Sequence, residues 1–300
     1  MQPISKGRRI GYFFAALGAF ALSIALQFVA VIVLLAVKFL GMLASGAWTA
    51  GGFQALAFSL YENPLEMTVV YHVVGILVFG LWYLLGVRKK QRGLSADKFK
   101  PVAAGGVLIL GLGLQFLINA VLTALYLLAP SLLESYNTLM EIAGMDEVTF
   151  LSILTTCVLA PIGEELLCRG VIQHFAQRVS SRFWLANCIQ AALFGILHLN
   201  LVQGLYAFVF GLALGAVARK FNSLIPAILL HFVINLSGML LVEPLMGALP
   251  ETLPVYLLVC LVAAALCWAG LRLLRIKPFG KLFPDTACDR ADANREGAVR

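Results

Sequence analysis

Eight apolar stretches, near residues 10–37, 68–87, 102–129, 149–172, 184–199, 201–218, 222–242 and 252–274, occupy most of the chain. Such stretches have few ways to fold. In hydrocarbon every backbone N–H and C=O needs an internal partner, so apolar segments of this length become membrane-spanning helices. Composition agrees: hydrophobic residues make up 61% of the 300 and charged ones 12%, against roughly 25% charged in soluble proteins. The expected fold is all-α, a polytopic bundle of about eight transmembrane helices in a multi-pass integral membrane protein.

The fifth and sixth stretches are short and parted only around Asn200, and the loops decide how to count them. Lys6, Arg8 and Arg9 precede the first span, and Arg88 to Lys100 follow the second. Arg178 and Arg182 follow the fourth, Arg219 and Lys220 the sixth, and Arg272 to Lys281 the eighth. The intervening loops carry Glu62, Glu66, Glu134, Glu141, Asp146, Glu147, Glu243 and Glu251, with Lys38 the one basic exception. Cytoplasmic loops carry the excess of Lys and Arg. Eight spans put every basic cluster on one side and both termini in the cytoplasm; fusing spans five and six would not.

The formal charge of +7 therefore reflects membrane topology, and no nucleic-acid partner is expected. The six cysteines show no CxxC pair, so neither a disulfide framework nor a metal finger is expected. The apolar run after Met1–Arg9 is too long for a signal-peptide core and is expected to remain as the first span. Four parts follow: spans one to three over 1–148, a core of spans four to seven over 149–242, span eight over 243–277, and a mobile cytoplasmic tail over 278–300. The semi-apolar stretch 39–61 is either an interfacial element or a loop.

Against this apolar background three polar clusters stand out: Glu164-Glu165-x-x-x-Arg169, Phe194-x-x-x-His198 and His231-x-x-x-Asn235. A charge at the centre of a spanning helix costs roughly 2.5–3.5 kcal/mol on insertion scales, so these groups have a function to perform. Glu165 and Arg169 lie four apart, acid before base, and share a helix face. Glu164 points about 100° away from Glu165. It has no partner on its own helix, and as a desolvated carboxylate it suits a general base acting on water. His231 and Asn235 share a face of span seven and are placed to donate to an oxyanion. Pro161, just ahead of the glutamates, is expected to distort span four and free backbone groups beside them. Gly204, Ala207, Gly211 and Gly215 give span six a small-residue edge for close packing. His72 and His174 have no partners at such spacing and read as interfacial residues.

Those three motifs, in that order on successive core spans, resemble the CPBP family. This family comprises CAAX prenyl endopeptidases of the Ras-converting type and bacterial Abi self-immunity proteins. The resemblance covers roughly 150–242. It implies an intramembrane endopeptidase in which Glu164 and His198 hold and activate the attacking water. His231 and Asn235 would stabilise the oxyanion, and Glu165 and Arg169 would support the site. The implied partners are the lipid bilayer and a membrane-anchored or membrane-spanning protein or peptide substrate, with a bacterial plasma membrane as the expected location.

The family is often called metalloprotease, and Glu164, His198 and His231 would be the ligand set for a Zn2+ ion. The chain lacks His-Glu-x-x-His, and zinc ligation would take Glu164 from its role as base. The favoured reading needs no cofactor. The competing functions are a non-catalytic immunity or scaffold protein of the same family and a transporter with buried ionisable groups.

Overall fold

A computed structural model describes residues 5–49, 51–87, 99–142, 148–180 and 182–276. The described residues form helices and no strand. In chain order these are α1 (Lys6–Ala44), α2 (Gly52–Glu62), α3 (Pro64–Val87), α4 (Pro101–Leu128), α5 (Ser131–Ile142), α6 (Phe150–Val179), α7 (Phe183–Ile196), α8 (Leu201–Phe221), α9 (Ile225–Gly247) and α10 (Leu253–Leu273). The expected polytopic helical bundle is what forms. The expected tail over 278–300 and the basic cluster at 88–98 lie outside the described residues.

Among the described residues, seven helices are long and apolar enough to cross a bilayer: α1, α3, α4, α6, α8, α9 and α10. The fifth apolar stretch forms a helix shorter than these seven. Its helix, α7, has only 14 residues, about 21 Å of rise against a hydrocarbon core of about 30 Å. The chain nevertheless turns back. It reverses over Leu197–Asn200, where Leu199 takes a left-handed φ of 53°, and the Asn200 side chain accepts the Gln203 N–H at 3.0 Å to start α8. A side chain on Gly195 would begin 2.5 Å from the Gly204 carbonyl oxygen, so bare backbone lets the two arms meet there. Further along, Gly211 meets Ala191 and Gly215 meets Asn187, so the arms are antiparallel. The small-residue edge of α8 is the surface on which α7 packs, as its composition suggested.

Helix directions elsewhere match the same alternation. Gly106 faces Leu273 and Leu274 while Gly113 faces Cys267, so α4 and α10 run antiparallel. Gly111 faces Leu230 and Val233 while Gly238 faces Gln115, so α4 and α9 run parallel. Gly163 meets His72 and Gly170 meets Tyr83, so α3 and α6 also run parallel. At one end of the bundle the guanidinium of Arg178 lies over Tyr12 at 5.6 Å and that of Arg219 over Phe183 at 5.6 Å. Lys220 Nζ donates to the Arg275 carbonyl at 3.2 Å beside them. At the far end of α1, Lys38 pairs with Glu66 at 2.7 Å. The one basic residue out of place in the loop pattern is thus charge-neutralised. Reporter fusions after Lys100, Arg182 and Lys220 are expected to read cytoplasmic; a signal from the opposite side after Lys220 would overturn the returning α7–α8 hairpin.

Candidate active site

Helix α6 is not a uniform α-helix. Its turns widen to π-helical geometry at Leu154–Leu159 and again at Leu166–Ile172, leaving Ala160–Glu165 between them. Pro161 supplies a cause, because it has no N–H to donate and its ring crowds the carbonyl one turn back. Ala160 N–H bonds the Thr155 carbonyl, five residues back. The next bond in that ladder would run from Pro161 to the Thr156 carbonyl and cannot form. That carbonyl is instead taken by Asn235 Nδ2 of α9 at 2.7 Å. Wide turns of this kind recur at functional sites, and here they bracket Glu164 and Glu165.

Glu165 and Arg169 are both fully buried. Arg169 Nη1 donates to Glu165 Oε1 at 2.7 Å, its Nη2 to the Gly211 carbonyl of α8 at 3.2 Å, and its guanidinium lies 4.6 Å from the centre of the Phe194 ring. The pair expected from the i,i+4 spacing forms, and it ties α6 to α7 and α8.

Glu165 also reaches α9, where Oε1 lies 3.0 Å from His231 Nδ1. A carboxylate can only accept, so Nδ1 carries the proton and Nε2 is left for the site. That Nε2 lies 3.7 Å from Glu164 Oε2, beyond direct hydrogen-bond reach. The two adjacent glutamates thus address the two nitrogens of one imidazole. Glu165 is sealed, while the Glu164 side chain keeps 19% of its surface accessible.

His198 sits in the turn after α7. Its Nδ1 lies 2.9 Å from the Phe194 carbonyl. A carbonyl only accepts, so this bond puts the proton on Nδ1 and leaves Nε2 as a lone-pair acceptor. The Phe194 ring meets His198 edge-on at 5.0 Å and His231 edge-on at 5.8 Å. One aromatic ring therefore touches both histidines and the arginine. Asn235, one turn beyond His231, commits one amide hydrogen to Thr156 and retains the other.

Among the described residues, no three His, Cys, Asp or Glu side chains are placed to hold a metal ion. Glu164, His198 and His231 do not form such a group as arranged.

Two groups of polar residues carried no motif. Asn187 and Gln190 on α7 and Gln173 on α6 form a buried amide network. Gln190 Nε2 donates to the Gly211 carbonyl at 2.9 Å and to Asn187 Oδ1 at 2.8 Å, and Gln173 Nε2 donates to Asn187 Oδ1 at 3.2 Å. The signal was present in the spacing, since Asn187, Gln190, Phe194 and His198 recur three to four apart along one face. His72 is the second case. It is buried, with Nδ1 3.4 Å from where a Gly163 side chain would begin. His174, buried to the same degree, contacts Arg178 at the basic end of the bundle.

A family model, type II CAAX prenyl endopeptidase Rce1-like, matches residues 146–237. The matched region opens just ahead of α6 and closes at Ser237, so it contains all three motifs and the whole arrangement of Glu164, Glu165, Arg169, His198, His231 and Asn235. The resemblance drawn from those motifs is borne out. No curated protein and no solved structure matches the chain.

Proposed function

We propose, from the family match together with this geometry, that the protein is an intramembrane endopeptidase hydrolysing a peptide bond of a membrane-associated substrate. The observation that carries the reading is the convergence on His231. Two adjacent carboxylates of α6, one sealed in an ion pair and one accessible, face the two nitrogens of an imidazole from another span.

In this reading Glu164, with His198 Nε2 as a second acceptor, orients a water and takes its proton. The hydroxide oxygen bonds to the scissile carbonyl carbon, and the carbonyl π electrons move onto oxygen. His231 Nε2 and the remaining Asn235 amide hydrogen donate to that oxyanion. For His231 to donate it is an imidazolium, and the set of Glu164, Glu165, Arg169 and His231 then carries two charges of each sign. Collapse of the intermediate breaks the C–N bond, and Glu164 returns its proton to the departing amine. Glu165 and Arg169 hold the imidazole and the ring of Phe194 in place.

An apolar cavity of about 390 Å3 lies at the hairpin tip that carries His198, lined by residues including Gly195, Leu199, Leu201 and Leu205. Such an apolar lining suits a lipid-bearing or apolar substrate.

The test uses the full chain in nanodiscs with two quenched fluorescent peptides of one sequence, one farnesylated on a cysteine three residues from its end and one unmodified. Membrane-peptide termini are compared in parallel between cells carrying the wild type and Glu164→Ala. Cleavage of either peptide, or new termini that depend on Glu164, supports the reading. No cleavage together with identical termini would favour the non-catalytic alternative.

A further inference from the structure

The residues outside the matched region contribute to this site. Glu164 has no partner on its own helix, and His231 Nε2, at 3.7 Å, is too distant to fix it. What closes the remaining wall is α3. His72 packs against Gly163 through its ring nitrogen and its backbone, and is itself buried at 5% exposure in the middle of a spanning helix. Gly163 immediately precedes Glu164, so His72 packs one residue from the accessible carboxylate. The Tyr71 ring lies 4.9 Å from that of His72. Burying an imidazole here has a cost that packing alone does not offset.

Resting on the endopeptidase reading, we propose that His72 is a further positioning residue of the site, which sets the Glu164 carboxylate from the α3 side. In this arrangement Tyr71 and Gly163 confine His72, and His72 faces Glu164. A span that carries no motif thus helps aim the base.

The chain has four histidines, few enough for histidine-selective NMR of the full protein in nanodiscs. Each resonance is assigned by single substitution. Glu164→Gln is expected to shift the ring signals of His72 and His231 and to leave those of His174 in place. An unmoved His72 signal would overturn the proposal whatever the activity.

Turnover of the farnesylated peptide supplies the second arm. His72→Ala is expected to lower kcat about tenfold or more with KM within twofold. His72→Gln, which keeps a polar group of similar reach, should recover part of the loss. His174→Gln serves as the control with unchanged kcat. Wild-type kcat in a folded His72→Ala protein would also overturn the assignment. If the wild type cleaves nothing while the His72 signal still follows Glu164, the contact stands and the endopeptidase reading is the part that fails.

Discussion

Glu164→Gln is expected to abolish peptide cleavage in a protein that folds normally, while Glu165→Gln is expected to lose folded protein as well as activity. The two residues are adjacent, yet their surroundings differ. Glu165 is completely buried and holds both Arg169 Nη1 at 2.7 Å and His231 Nδ1 at 3.0 Å. Removing its charge strands a guanidinium inside the bundle, which costs about 3–5 kcal/mol when one partner of a buried pair is lost. It also frees the imidazole to rotate. Glu164 has no such partner, and the amide preserves its shape, so its loss removes a proton acceptor worth about 10²–10⁴ in rate. The measurements are thermal stability in nanodiscs and single-turnover cleavage. Equal stability loss in both variants would remove the division of roles. Full activity in Glu164→Gln would remove the mechanism.

The sequence predicted most where the membrane leaves the least choice. Hydrocarbon forces backbone pairing within each segment, so helix existence followed from apolar length, and helix direction from the placement of Lys and Arg. The Glu165–Arg169 pair was equally readable, because both partners lie one turn apart on one helix.

What escaped prediction depends on partners from other spans. Hydropathy cannot register that α7 stops at Ile196, since Leu197, Leu199 and Leu201 are as apolar as the helix before them. The amphipathic helix Ser131–Ile142 lies in a stretch treated as loop, too polar to read as a span. His72 shows no periodic partner on α3, and its neighbour Gly163 belongs to α6. The consequence of Pro161 was partly readable: a distorted helix was expected, but not that Asn235 would take up the Thr156 carbonyl.

That contact divides the last prediction. His231→Ala is expected to cut turnover about 10²–10³-fold with KM little changed, as for loss of a donor that acts on the developing oxyanion. Asn235→Ala removes such a donor too, but it also strips the Thr156 carbonyl of its partner, and an unpaired buried acceptor costs about 1–3 kcal/mol. The two variants should therefore match in turnover and part in stability, with Asn235→Ala melting lower. Metal analysis on the same preparations addresses zinc directly. If His231 were a ligand, its loss would release bound zinc, and chelators would inhibit the unmodified protein. Stoichiometric zinc that disappears with His231→Ala would replace the oxyanion role by ligation, against the donor arrangement described above. Unchanged turnover in both variants would instead take α9 out of the chemistry and leave His231 as a support for the two glutamates.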